Sequence, residues 1–233
     1  MKKVAMKAVA AAALLAVVSS PAVRAAEATV GVDVLSAYVW RGATLNENFV
    51  AQPYVDISGL PIDIGIWANF DIESDRSRGI TDSQFSEVNF VLGYTLPIEA
   101  VDVGVVYTEY VYPNGGEADR EIGLTLGLDL PLSPSLGLYY GLDGAAEDSF
   151  YGELGIGHEL ELDEGLTLNL EALVGYWDLD GGENGFSHYQ LTASLTFDFV
   201  TVGVSYIDQL KKKVLGDAYD VDVLGFVSLS HSF

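Results

Sequence analysis

A two-residue alternation of apolar and polar side chains runs through this chain from about residue 29 to its last residue, and no other feature limits the fold so sharply. Between Pro61 and Glu73 the even positions are Ile62, Ile64, Ile66, Ala68, Phe70 and Ile72, and the odd ones are Asp63, Gly65, Trp67, Asn69, Asp71 and Glu73. Successive side chains of a strand point to opposite faces, so one face is apolar throughout and the other polar. The same split recurs at Ile122, Leu124, Leu126, Leu128 and Leu130 against Glu121, Gly123, Thr125, Gly127 and Asp129. After residue 28 there is no helical hydrophobic period and no second apolar run long enough to cross a bilayer as a helix.

Read along the chain, the pattern predicts strands near 29–41, 50–58, 61–73, 84–96, 101–112, 120–130, 136–143, 149–160, 166–178, 187–199, 200–209 and 219–233. Short connections (Ser58-Gly59-Leu60, Pro97 to Ala100, Pro131 to Ser135, Glu161 to Gly165) alternate with mostly longer ones at 42–49, 74–83, 113–119, 144–148, 179–186 and 210–218. Short and long turns therefore collect at opposite ends. A transmembrane barrel has that arrangement, with short periplasmic turns and longer outer loops. The turn near Phe199-Val200 is the least marked, because no Gly or Pro stands there. The fold class is all-β: a twelve-stranded antiparallel transmembrane β-barrel over residues 26–233, preceded by a signal helix in the precursor.

Lys2, Lys3 and Lys7 precede an apolar run from Ala8 to Val18, and Val23-Arg24-Ala25 offers a cleavage site, so residues 1–25 read as a secretory signal. Four of the 11 Lys and Arg leave with it and none of the 34 Asp and Glu, so the exported chain is more acidic than the whole, whose net charge is −23. Phosphate-rich partners need Lys and Arg, and this balance argues against nucleic acid. With no cysteine, disulfides, thiolate metal sites and thiol nucleophiles are excluded together. The 13 Tyr, 10 Phe and 3 Trp are too many for a disordered acidic tail.

Charge placement separates a membrane barrel from a soluble sandwich. On the apolar register charge and histidine keep to the strand ends, with Glu109 near a loop end and His158 and His231 near the other end. Lipid imposes that distribution, since a charge facing it costs ~2–4 kcal/mol at the midplane and little at the interfaces. Aromatics on the same register gather at the ends: Tyr38, Trp40, Phe70, Tyr107, Tyr140, Phe150, Tyr176 and Tyr189 on the loop side, and Tyr94, Phe197, Phe199 and Phe233 on the turn side. The expected location is the outer membrane of a Gram-negative bacterium, in contact with lipid and lipopolysaccharide. Val221, Val223, Val227, Leu229, His231 and Phe233 alternate down to a terminal aromatic, resembling the signal such barrels present to their assembly machinery.

The polar register lines the lumen. Near the turn end it carries Asp33, Asp56, Asp63, Asp102, Asp129, Glu159 and Asp198, and near the loop end Asp71, Glu73, Glu87, Glu121, Asp143, Glu153 and Asp222. These predict two acidic rings, with Arg41 almost the only inward base and Asp71, Glu73 or Glu87 as its partner. Inward glycines leave room for a narrow water-filled passage, and carboxylate rings favour cations. Catalysis has weak support: His188 adjoins Ser187, but neighbouring residues of a regular strand face opposite ways. Asp178 to Gly185 looks like a calcium loop yet fails the EF-hand spacing at Gly182 and Glu183. Neither metal nor cofactor is implied. Lys211-Lys212-Lys213 suits lipid A phosphates at the rim or the acidic vestibule within.

Ser36-Ala37-Tyr38-Val39-Trp40-Arg41-Gly42, followed by Asn46 and Gln52-Pro53, resembles the opening signature of the TorF-type porins, a proteobacterial family of outer-membrane barrels. The resemblance extends more loosely through Gly65 to Asn69, Glu87 to Tyr94 and Pro131 to Leu136. It implies a porin. The functional expectation is passive diffusion of small cationic or neutral solutes; the alternatives are a closed structural or surface-interaction barrel and, further off, an outer-membrane hydrolase.

Overall fold

The computed structural model describes residues 26–74, 79–98 and 101–233; the predicted signal, residues 1–25, lies outside them. Twelve strands close an antiparallel barrel. They are β1 (Glu27–Leu35), β4 (Val50–Ser58), β5 (Asp63–Asp71), β6 (Gln84–Leu96), β7 (Asp102–Val111), β8 (Asp119–Gly127), β9 (Ser135–Asp143), β10 (Phe150–Asp163), β11 (Leu166–Asp178), β12 (Asn184–Phe197), β13 (Val200–Gln209) and β14 (Val223–Ser232). Each pairs with its neighbours in sequence, and β1 closes the ring on β14, with Thr29 opposite Ser232 and Leu35 opposite Phe226. Closure leaves no unpaired edge, which is what a hydrocarbon surround demands of a sheet.

The outward register is the apolar one. Ile64, Ile66, Phe90, Leu92, Leu154, Leu191 and Val202 are all exposed, and they form a band that only lipid can cover. Tyr107, Tyr176 and Tyr189 stand on this register toward the loop end, while Phe197, Phe199 and Phe233 are exposed at the turn end. The unmarked turn is made by Asp198, which adopts φ 54° in the two-residue link between Phe197 and Val200. Asp tolerates the left-handed region well enough to replace Gly.

The first predicted strand is where the chain departs from expectation. The alternation from 29 to 41 suggested one continuous strand, but the wall strand ends at Leu35. Two further strands, β2 (Tyr38–Trp40) and β3 (Ala43–Asn46), form a separate two-stranded sheet. Leu35 is nevertheless paired with Val50, so the ladder between β1 and β4 is complete without them. Residues 36–49 are an excursion from a finished wall.

Candidate functional site

The excursion crosses the lumen. Trp40 pairs with Ala43, so Arg41-Gly42 forms a two-residue hairpin turn, and both residues have positive φ, 50° and 81°. That is the pair of signs a type I′ turn requires. Gly42 is needed twice over, since a Cβ there would lie 2.5 Å from the His188 ring on β12. From a root at β1 the hairpin thus reaches β12 on one side, and through Tyr38 and Arg41 it reaches β6 and β8 on the other.

Arg41 fills a prepared socket. Its Nη1 and Nη2 donate to Glu121 Oε2 and Oε1 at 2.6 and 2.8 Å, and the Tyr110 hydroxyl donates to the same carboxylate at 3.2 Å. The guanidinium lies 4.5, 4.3, 4.4 and 5.5 Å from the ring centres of Trp40, Tyr139, Tyr151 and Trp177. Burial opposes the charge on Arg41, but hydrogen bonds and attraction to Glu121 outweigh it and hold the pKa above the ordinary arginine value. Both side chains are nearly buried, at 10% and 7% exposure. Breaking such a pair from one side leaves a dehydrated charge. Arg41→Met should therefore destabilise the folded barrel by about 3–5 kcal/mol, and Arg41→Met with Glu121→Met should recover most of that loss. Unfolding in urea and detergent micelles, followed by tryptophan fluorescence, measures both.

Other polar sockets hold the rest of the hairpin. The Tyr38 hydroxyl donates to Glu87 at 3.1 Å, and Asn89 donates to the other oxygen at 2.8 Å. Asn46 and Asn69 both donate to Asp71 Oδ1, at 2.8 and 3.0 Å, while Gln52 donates to Asn69. Thr44 Oγ1 accepts from the backbone N–H groups of Asp220 and Val221, which ties the hairpin to the last long loop. That loop carries a short helix, α1 (Lys212–Leu215), whose Val214 packs with Tyr151 and Trp177, with Trp40 against the same cluster. Lys211 donates to Glu183 at 3.0 Å and to the Asn184 carbonyl at 2.6 Å, and holds the Glu183 carboxyl below its usual range. Lys212 and Lys213 are exposed.

Several sequence-based expectations change here. Tyr38 and Trp40 do not face lipid: the chain leaves the wall after Leu35, and strand parity carries no information beyond the ladder. Arg41 turns inward, but its partner is Glu121 and not Asp71, Glu73 or Glu87. In the outer set of acids, Asp71, Glu87 and Glu121 are buried as sockets for the hairpin. Asp143 bonds Arg120 at 2.5 Å, and Arg120 also bonds Glu109 of the outward register at 3.0 Å. A register shift between Arg120 and Glu121 places Asp143 opposite Arg120, so this carboxylate joins a rim ion triad and not a lumen ring. Glu153 accepts from the Tyr151 hydroxyl, and Glu73 and Asp222 are exposed beyond strand ends.

In the inner set, Asp33, Asp56, Asp63 and Asp102 stand on the polar register of the wall, and the last three lie directly across from Gly65, Gly93 and Gly127. Glu159 lies on the part of β10 that extends past β9. Asp129 and Asp198 lie in turns. A cavity of about 390 Å³ occupies this half, lined in part by Gly155, Gly157, Glu159, Glu171 and Thr192. A second, of about 440 Å³, lies on the loop side of Arg41.

Ser187 and His188 do touch, contrary to the alternation rule. A bulge at Gly175/Tyr176 inserts Ser187 as an extra residue, and its Oγ lies 2.9 Å from His188 Nδ1. The Ser187 hydroxyl donates to the Gly175 carbonyl, and both residues are sealed, at 0% and 1% exposure. The pair supports the hairpin floor beneath Gly42. In the 179–183 loop, Gly182 N–H donates to the Leu179 carbonyl, and among the described residues no cluster of three or more potential ligands is arranged for a metal.

The fold is similar to that of the COG4313 outer membrane channel from Pseudomonas putida F1, with a TM-score of 0.52 at 9% identity over 92% of this chain and 97% of that one. It is similar to a chain from a structural study of the in-meso crystallization of membrane proteins, with a TM-score of 0.52 at 14% identity over 89% and 84%. No family model matches the chain, and no curated protein matches it. The likeness in fold, the closed barrel and the lipid-facing band define a twelve-stranded outer-membrane β-barrel of a Gram-negative bacterium.

Proposed function

We propose that this protein is a narrow channel for passive diffusion of small cationic or neutral solutes, with the inward hairpin as its constriction and the inner carboxylates as its charge filter. The observation that carries this reading is the lining of the cavity on the turn side of Arg41, where Glu159 and Glu171 stand among Gly155, Gly157, Ser135 and Thr192. Such a wall leaves water in the lumen, and fixed carboxylates there attract cations. The buried Arg41–Glu121 pair supports a second reading, a barrel closed at rest as a structural or surface-interaction protein. In either case the lipid and lipopolysaccharide of the membrane are its surroundings, and Phe233, exposed at the end of the last strand, is the element for recognition by the assembly machinery.

Planar-bilayer recording of the refolded protein tests the channel. Stepwise conductance with a reversal potential of cationic sign in a salt gradient is expected. A silent bilayer, with folded protein shown to be inserted, would transfer the conclusion to the closed reading.

A further inference from the structure

The cavity on the loop side of the constriction has a chemistry of its own. Its volume, about 440 Å³, falls in the range of small-molecule sites. Its walls include five aromatic rings, those of Tyr38, Trp40, Tyr110, Tyr112 and Trp177, with Leu179, Val214 and Leu215 beside them. A vestibule serving only ions would have no use for this much apolar surface.

Three carboxylates also line it: Glu87, Asp119 and Glu121. Their charges are balanced differently. Glu121 is matched by Arg41. Arg120, the cation at the cavity edge, is held by Glu109 and Asp143. Among the described residues, Glu87 accepts from neutral donors, the Tyr38 hydroxyl and the Asn89 amide, and Asp119 from the Tyr112 hydroxyl and the Ala145 N–H. The cavity therefore joins aromatic faces to an excess of negative charge. Aromatic faces attract cations, and the neighbouring guanidinium of Arg41 already uses two of the same rings, Trp40 and Trp177.

We infer that this cavity is a binding site for organic ammonium ions with an aromatic or compact apolar body, the ammonium directed at Glu87 and Asp119 and the body against the Trp40 and Trp177 rings. This rests on the channel reading for its purpose, as an entry site that concentrates such solutes above the constriction. Binding itself does not need an open path. An inorganic cation gains nothing from the apolar walls, and an aromatic anion is repelled by the carboxylates.

Three probes of similar size separate the contributions: 2-phenylethylammonium, 2-phenylethanol and 3-phenylpropanoate, each titrated into the detergent-solubilised barrel with Trp fluorescence as the readout. Saturable quenching by the ammonium is expected at about tenfold or more lower concentration than by the alcohol, with none by the carboxylate, since a hydrogen bond to a charged group gives about that factor. Glu87→Gln with Asp119→Asn should reduce the ammonium to the level of the alcohol. Because Glu87 also seats Tyr38, a second variant, Ala218→Trp, fills the cavity from the last loop without touching a carboxylate and should abolish binding of both. Equal affinity for alcohol and ammonium, preference for the anion, or undiminished ammonium binding by Ala218→Trp would overturn the site. Cation-selective conductance with no ammonium binding refutes the site and spares the channel; saturable binding in a silent barrel refutes the channel and spares the site.

Discussion

Replacing residues 36–49 by a short Gly-Ser turn should raise the single-channel conductance several-fold. Leu35 and Val50 are already paired across β1 and β4, so a turn of a few residues closes the ladder without moving either strand. Inside the lumen the Trp40 ring, the Arg41 guanidinium and the backbone of β2 and β3 are lost; on the wall the loss is the bonds of Ser36 with Gly225 and of the Phe49 carbonyl with Ile72 and Glu73, at the loop end. The carboxylates of Asp71, Glu87 and Glu121, now sealed beneath the hairpin, would meet water instead of each other's dehydrated partners, so their release should carry little of the penalty that Arg41→Met incurs. Folding yield should remain near that of the parent. An unchanged conductance from a correctly folded variant would show that the hairpin is not the narrowest point and would remove it from the proposed mechanism.

Neutralising the inner carboxylates should affect which ions pass more than how many. Asp63→Asn, Asp102→Asn, Asp129→Asn and Asp198→Asn together should carry the reversal potential toward the unselective value. The shift should be largest at low salt, where the Debye length is ~30 Å at 0.01 M and fixed charges act across the whole opening. Asp102, Asp129 and Asp198 are exposed, so the substitutions should leave thermal stability nearly unchanged. Asn also accepts the left-handed conformation that Asp198 adopts at φ 54°. Anion preference in the parent protein would refute the assignment of these acids to the conducting path.

These two experiments address parts of the molecule that were unequally legible in the sequence. Alternation is a property of each strand by itself, so the barrel, its lipid face and the acids on β4, β5 and β7 could be read residue by residue from Ile62 to Glu73 and onward. Where the backbone leaves the ladder, that reading ends. Tyr38 and Trp40 fit the apolar register of β1 and yet lie inside, and Ser187 meets His188 only because a bulge interrupts β12. One local signal for the hairpin was present: Gly42, a residue free to take the positive φ of a two-residue turn, stands between the β-forming Tyr38-Val39-Trp40 and Thr44.

The sequence by itself determined that this protein is a membrane barrel, because lipid and water act on every strand in the same way and leave a period of two along its length. Only the tertiary structure decided what stands in the lumen. Arg41 and Glu121 are 80 positions apart, and no local pattern relates them; closure of the ring and the inward turn of residues 36–49 bring them within 2.6 Å. The same closure made Glu87, Asp71 and Glu121 sockets instead of solvated charges, since a carboxylate's role depends on whether water or a donor from another strand occupies the space before it.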